Sequence, residues 1–107
     1  MDFPFNGSLF QEALDEGNII WRKHILERMM ERGINREEVI GVLNHGEIIN
    51  IYDNDRPFPS VLLLGLSESR PLHVVVSFDE TQGIIFVITA YEPDLNIFEA
   101  DFKTKKK

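Results

Sequence analysis

The chain is expected to fold as α+β, with two to three N-terminal helices packed on one face of a four-stranded antiparallel meander sheet. Three observations predict this. Apolar residues recur at helical spacing through the first 45 positions. From Glu47 onward the pattern changes to β-rich apolar runs bounded by turn residues. All helices precede all strands, and that segregation puts the helices on one side of the sheet. The 107 residues suffice for one core, and a hydrophobic share of 43% fits a compact globule rather than a disordered polymer, so one domain over 1–107 is expected.

The first helix, over 8–17, is expected to start at Ser8, which completes a capping-box pattern with Gln11, and to stop at Gly17. Leu9, Phe10, Ala13 and Leu14 form its apolar stripe. Asn18 to Trp21 is too short to classify and reads either as a brief strand or as the lead-in to the next helix. The second helix, over 22–32, turns Ile25, Leu26, Met29 and Met30 toward the core and ends at Gly33, a natural left-handed residue. Asn35 and Glu38 start a third, over 35–45, with Val39, Ile40, Val42 and Leu43 apolar and Gly46 as its stop.

Strands follow at 47–52, 60–66, 71–79 and 84–91, so the sheet occupies 47–92. Asp53-Asn54-Asp55-Arg56-Pro57 supplies turn chemistry after the first strand, and Glu80-Thr81-Gln82-Gly83 forms the hairpin before the last. The run from Ser60 to Leu66 is almost wholly apolar and is expected at the centre of the sheet; Leu72, Val74, Val76 and Phe78 line one face of the third strand. A tail over 93–107, with Leu95, Phe98 and Phe102 spaced along it, is expected to lie back over the domain, while its final Lys-Thr-Lys-Lys-Lys frays.

No apolar run reaches the roughly 20 residues that a membrane span needs. Met1 to Phe5 lacks the basic region and apolar core of a signal peptide, so a cytoplasmic location is expected. The absence of cysteine excludes disulfides, thiolate metal sites and cysteine nucleophiles. His24, His45 and His73 show no HExxH-type spacing, and neither a metal nor a cofactor is expected. A net charge of −7 repels nucleic acid at long range. Arg22, Lys23, Arg28, Arg32 and Arg36 nevertheless crowd one helical segment, and four lysines close the chain, so local basic surfaces remain.

The helix run His24-x3-Arg28-x3-Arg32 places one imidazole and two guanidiniums on one broad face. A proton-exchanging group beside two cations suits phosphate recognition. Glu27 and Glu31 share that face, so a salt-bridged solvent surface is the other reading. His73 interrupts a strand that is otherwise nearly all apolar, and a buried imidazole needs a hydrogen-bond partner, for which Thr89 and Tyr91 are the candidates. A four-residue loop at 80–83 pairs His73 with Ala90, whereas a five-residue loop at 79–83 pairs it with Thr89. Sequence leaves that register open, and with it the choice between a satisfied core histidine and a catalytic one. Tyr91, followed by Glu92-Pro93-Asp94, offers a phenol that either orients a reacting group or simply packs. Arg56 is the only Lys or Arg between Arg36 and Arg70. His45 beside Gly46 complements a helix dipole.

Taken together, His24-x3-Arg28-x3-Arg32-Gly33-Ile34, Asn35-Arg36-Glu37-Glu38-Val39-Ile40, Gly46-Glu47-Ile48-Ile49, Arg56-Pro57-Phe58-Pro59-Ser60, Arg70-Pro71-Leu72-His73-Val74-Val75 and Ile88-Thr89-Ala90-Tyr91-Glu92-Pro93-Asp94 resemble domain-of-unknown-function family forty-two fifty-eight, over roughly residues 19 to 95. Members look like relatives of the RelE/ParE and BrnT toxin superfamily, whose genes commonly sit beside zinc-finger or helix-turn-helix antitoxins. The resemblance implies a RelE/BrnT-like fold. It also implies a toxin, or toxin-derived protein, of a prokaryotic toxin–antitoxin-like module, acting if active as a metal-independent mRNA endoribonuclease on RNA or the ribosome. Carried onto this chain, it makes His24 or His73 the acid or base, Tyr91 an orienting phenol, and Arg28, Arg32 and Arg56 the phosphate-binding cations. The acidic charge and the few cations on the predicted sheet suit a different role, a non-catalytic module holding a basic protein partner. A homodimer through a sheet edge or a Trp21-centred apolar patch is the third.

Overall fold

The structure, a computed structural model, describes residues 3–107; Met1 and Asp2, where the stretch read for a leader begins, lie outside the described residues. Helix α1 (Gly7–Glu16) begins before Ser8 because the Asn6 side chain, not the Ser8 hydroxyl, accepts from the Leu9 amide at 3.1 Å. Gly17, at φ 72°, closes it in the left-handed conformation. Phe10 and the preceding Phe5 meet Phe78 edge-on, with ring centroids 5.3 and 5.6 Å away, and so tie α1 to the sheet.

The ambiguous stretch after Gly17 is a strand. β1 (Ile19–Ile20) runs parallel to the last strand, β5 (Ile84–Tyr91), with Ile19 opposite Ile85. The sheet is therefore five-stranded and mixed, in the order β1-β5-β4-β3-β2, where an all-antiparallel sheet of four was expected. Two residues carry no periodicity, and their partner lies more than 60 positions away, so the sequence could not reveal this pairing. The other four strands, β2 (Glu47–Tyr52), β3 (Ser60–Ser67), β4 (Arg70–Asp79) and β5, form the expected antiparallel meander.

Helix α2 (Lys23–Glu31) buries Ile25 and Met29, whereas Met30, expected in the core, is 80% exposed. Its end follows the Schellman pattern, with the Ile34 amide reaching the Met29 carbonyl across Gly33 at φ 67°. Helix α3 (Arg36–His45) carries the expected capping box between Asn35 and Glu38. Glu38 also accepts the Ser67 hydroxyl at 2.7 Å, and these bonds hold its carboxyl below the usual carboxylate range. The three helices share one core with the inward residues of β3, β4 and β5, including Val61, Leu72, Val76 and Ile85, each fully buried. Gly65 lets α3 approach closely, since a Cβ there would stand 2.8 Å from Val42 Cγ2.

A bulge then sets the outer face of the sheet. The 80–83 loop pairs Asp79 with Ile84, but the ladder shifts by one between Val75 and Val76 as β5 takes up Ile88. His73 consequently stands opposite Tyr91, a pairing that neither loop length alone produces. The tail covers this end of the outer face. Phe98 is buried against the His73 ring at 4.7 Å, and Lys103 pairs with Glu47 at 3.2 Å. The closing lysines are not simply frayed: Lys105 bridges Phe98, and the Lys106 amide donates to the Ile97 carbonyl at 2.8 Å. Among the described residues no helix is long and apolar enough to cross a membrane.

Candidate functional site

The other end of the outer face is open. There the sheet presents one cross-strand row, with Phe86 opposite Ser77, Ser77 opposite Ser60 and Ser60 opposite Tyr52. Two small hydroxylic residues thus lie between two aromatic ones. The turn between β2 and β3 stands over this row. Arg56 Nη1 donates to the Asp53 and Asp55 carbonyls at 3.3 and 3.1 Å, which holds the turn, and Phe58 stacks on Phe86 with centroids 5.9 Å apart and planes 12° off parallel. From the other side comes the first turn of α2, where β1 ends and leaves the edge of β5 uncovered. The result is a cleft of about 430 Å³ lined by Arg22, His24, Asp55 and Arg56, with Phe58, Phe86, Ser60 and Ser77 forming its wall and floor and Ile25, Pro57, Val87 and Ile88 its apolar remainder.

Its ionisable groups are two guanidiniums, one imidazole and one carboxylate, all on exposed residues at the cleft mouth. The positive end of the α2 dipole adds to the cationic side, and no side chain caps that helix end. Such a set can bind an anion and move a proton within one enclosure. Among the described residues, no group of three or more His, Cys, Asp or Glu could hold a metal ion.

The residues singled out from sequence separate into four places. His24 and Arg56 meet in the cleft. Arg28 faces solvent and pairs with Glu31 at 3.1 Å, which is the salt-bridged surface that its spacing allowed. Arg32 donates to the Ala90 carbonyl at 2.9 Å and so caps the open edge of β5. His73 and Tyr91 lie at the tail-covered end. There His73 is completely buried, with Nε2 2.6 Å from the Phe102 carbonyl and Nδ1 3.2 Å from the Tyr91 hydroxyl. A carbonyl only accepts, so Nε2 carries the proton and donates, and Nδ1 accepts from the phenol. Burial pushes the His73 imidazole down, opposed by its bond to Phe102, and that ring fastens the tail to the sheet. Burial likewise pushes the Tyr91 phenol up, reinforced by Tyr52 and opposed by Arg32.

Arg22, Asp55, Ser60 and Ser77 join the cleft without having stood out in the sequence. Arg22 was one of five cations crowded into one segment and Asp55 one of two acids in a turn, and only the packing of that turn over β5 unites them. Arg70 also acquires a role: its Nη1 and Nη2 donate to the Gly33 and Arg32 carbonyls at 3.0 and 3.4 Å, and its Nε approaches Glu92 at 3.4 Å. It thereby fixes the C-terminal end of the helix whose N-terminal end frames the cleft.

Over residues 21–92 the chain matches the family described as Domain of unknown function (DUF4258), and it belongs to that family. The matched span contains every residue that lines the cleft, whereas α1 and the tail that meets His73 lie outside it. No curated protein and no solved structure shows a significant match.

Proposed function

We propose that this DUF4258 member is an RNA endonuclease working by side-chain acid–base catalysis, a RelE/BrnT-like toxin or toxin-derived component of a two-gene module. The observation that supports the reading is the assembly of His24, Asp55, Arg22 and Arg56 around one cleft. RNA cleavage by its own 2′-hydroxyl needs a proton acceptor, a proton donor and cations. In the proposed reaction the Asp55 carboxylate takes the 2′-OH proton as that oxygen bonds to phosphorus. The P–O5′ bond breaks, and the His24 imidazolium protonates the departing oxygen, leaving a 2′,3′-cyclic phosphate and a 5′-hydroxyl. Arg22 and Arg56 hold the phosphate and neutralise the charge that builds on its oxygens. His73 and Tyr91 then support the fold rather than the reaction, and Arg28 and Arg32 act outside the clamp.

Expression in a bacterial host tests this reading. The wild-type chain should arrest growth, and His24→Ala or Arg56→Ala should relieve the arrest at equal soluble level. Harmless wild-type expression with intact cellular RNA would remove the nuclease. The net charge of −7 favours one other reading, a non-catalytic module that holds a basic protein. That module would co-purify with its partner and be indifferent to both substitutions.

A further inference from the structure

The floor of the cleft carries a feature that phosphate chemistry does not use. Ser60 and Ser77 are directly opposed on neighbouring strands and are only 3% and 6% exposed, yet both line the cleft. Neither hydroxyl makes a hydrogen bond to another described residue, and both open onto the cleft, since among the described residues the fully buried side-chain polar atom without a hydrogen-bond partner is Arg70 Nε. Two hydroxyls side by side on a cleft floor are thus free to bond a polar edge that enters it. Directly opposed residues on adjacent strands have Cβ atoms about 5 Å apart. That spacing suits two neighbouring polar atoms on the rim of one flat ring. Each hydroxyl both donates and accepts, so together they serve an edge where donors and acceptors alternate.

The stacked pair Phe58 and Phe86 forms one aromatic wall, which offers a stacking surface to one face of the same ring. Phe86 flanks Ser77 in the cross-strand row, and Phe58 stacks parallel to Phe86; both are only partly buried. Aromatic walls stack on bases of any identity. Arg22 and Arg56 at the mouth then meet the phosphate attached to that ring.

We infer that the Ser60–Ser77 floor and the Phe58–Phe86 wall form a nucleobase subsite, which takes one unpaired base of single-stranded RNA beside the Arg22–Arg56 phosphate position. The subsite rests on the nucleic-acid reading of the cleft and sets its substrate class. A base inside a duplex hides both faces and its pairing edge, so duplex RNA cannot occupy it.

A 2′-fluoro single-stranded hexanucleotide tests this, because it lacks the attacking hydroxyl and cannot be cleaved. Binding of the full chain, followed by fluorescence anisotropy, is compared with binding to the same backbone made abasic and to the same sequence in a duplex. The base-bearing single strand should bind about tenfold or more tighter than either. Ser60→Ala with Ser77→Ala, or Phe58→Leu, should remove most of that ratio while leaving the abasic affinity unchanged. Equal binding of all three probes, binding of none, or a ratio indifferent to the substitutions would overturn the subsite. Cleavage of unmodified RNA is scored separately, comparing wild type with His24→Ala. Base-dependent binding without cleavage keeps the subsite and removes the nuclease, and cleavage without base dependence does the reverse.

Discussion

Substituting His73 by glutamine should abolish a pH dependence of stability that the wild-type chain owes to one ring. His73 is completely buried and lies below the ordinary imidazole range, because burial disfavours its charged form. The unfolded imidazole titrates at about 6.5. Below that pH the unfolded chain binds a proton that the folded chain refuses, so stability falls as pH falls from there toward the lowered folded value. The slope is at most about 1.4 kcal/mol per pH unit, so this group can cost the wild type at most about 1.4 kcal/mol between pH 7.5 and 5.5. The shifted carboxylates do not intrude: Glu38 is lowered and Asp101 is pulled to about 2, so their contributions are lost only in stronger acid. Glutamine does not titrate, and its amide can still donate to the Phe102 carbonyl. The substitution should cost about 1–3 kcal/mol at pH 7.5, with the His-linked loss on going to pH 5.5 gone. Urea unfolding of both chains at both pH values measures this. An identical pH difference in the two proteins would refute a buried neutral His73, whatever the absolute cost of the change.

Three further outcomes follow from the packing. Gly65→Ala should destabilise by about 1–3 kcal/mol through overpacking, because its Cβ would meet Val42 Cγ2 at 2.8 Å; combining it with Val42→Ala should recover part of the loss in urea midpoints. Asn35→Ala should cost about 0.5–2 kcal/mol by removing the α3 cap, seen as a lower thermal midpoint with an unchanged fold. Phe98→Ala should release the tail, so that hydrogen exchange accelerates at the Glu99 and Lys106 amides while the β3–β4 ladder stays protected.

What sequence could tell about this chain followed from how locally each feature is specified. The α3 capping box, the αL stops at Gly17 and Gly33, and the meander strands depend on neighbouring residues, and the structure reproduces them. The first helix was expected to start at Ser8, but the Asn6 side chain takes the Leu9 amide and caps it two residues earlier. The 18–21 stretch stayed open between a brief strand and a helix lead-in because two residues joined in parallel to a distant strand leave no pattern. His73 shows the limit best. Its need for a partner could be read from the apolar strand around it, but the partner depended on the extra residue at Ile88 and on a tail carbonyl some 30 positions away. The same holds for the cleft. His24 was visible on a face with Arg28 and Arg32, and Arg56 as the lone Lys or Arg between Arg36 and Arg70, whereas Arg22, Asp55 and the two serines became site residues only when the β2–β3 turn closed over β5.

The most direct test of the central claim is the cleavage of single-stranded RNA by the purified chain, with the product ends identified. Wild-type protein should release fragments ending in 2′,3′-cyclic phosphate and beginning with a 5′-hydroxyl. His24→Ala should lower the rate by about 10²-fold or more, and His73→Gln, once shown to be folded, should leave it nearly unchanged. Intact RNA with the wild type, or a folded His24→Ala protein that cleaves as fast, would contradict a catalytic cleft at the first turn of α2.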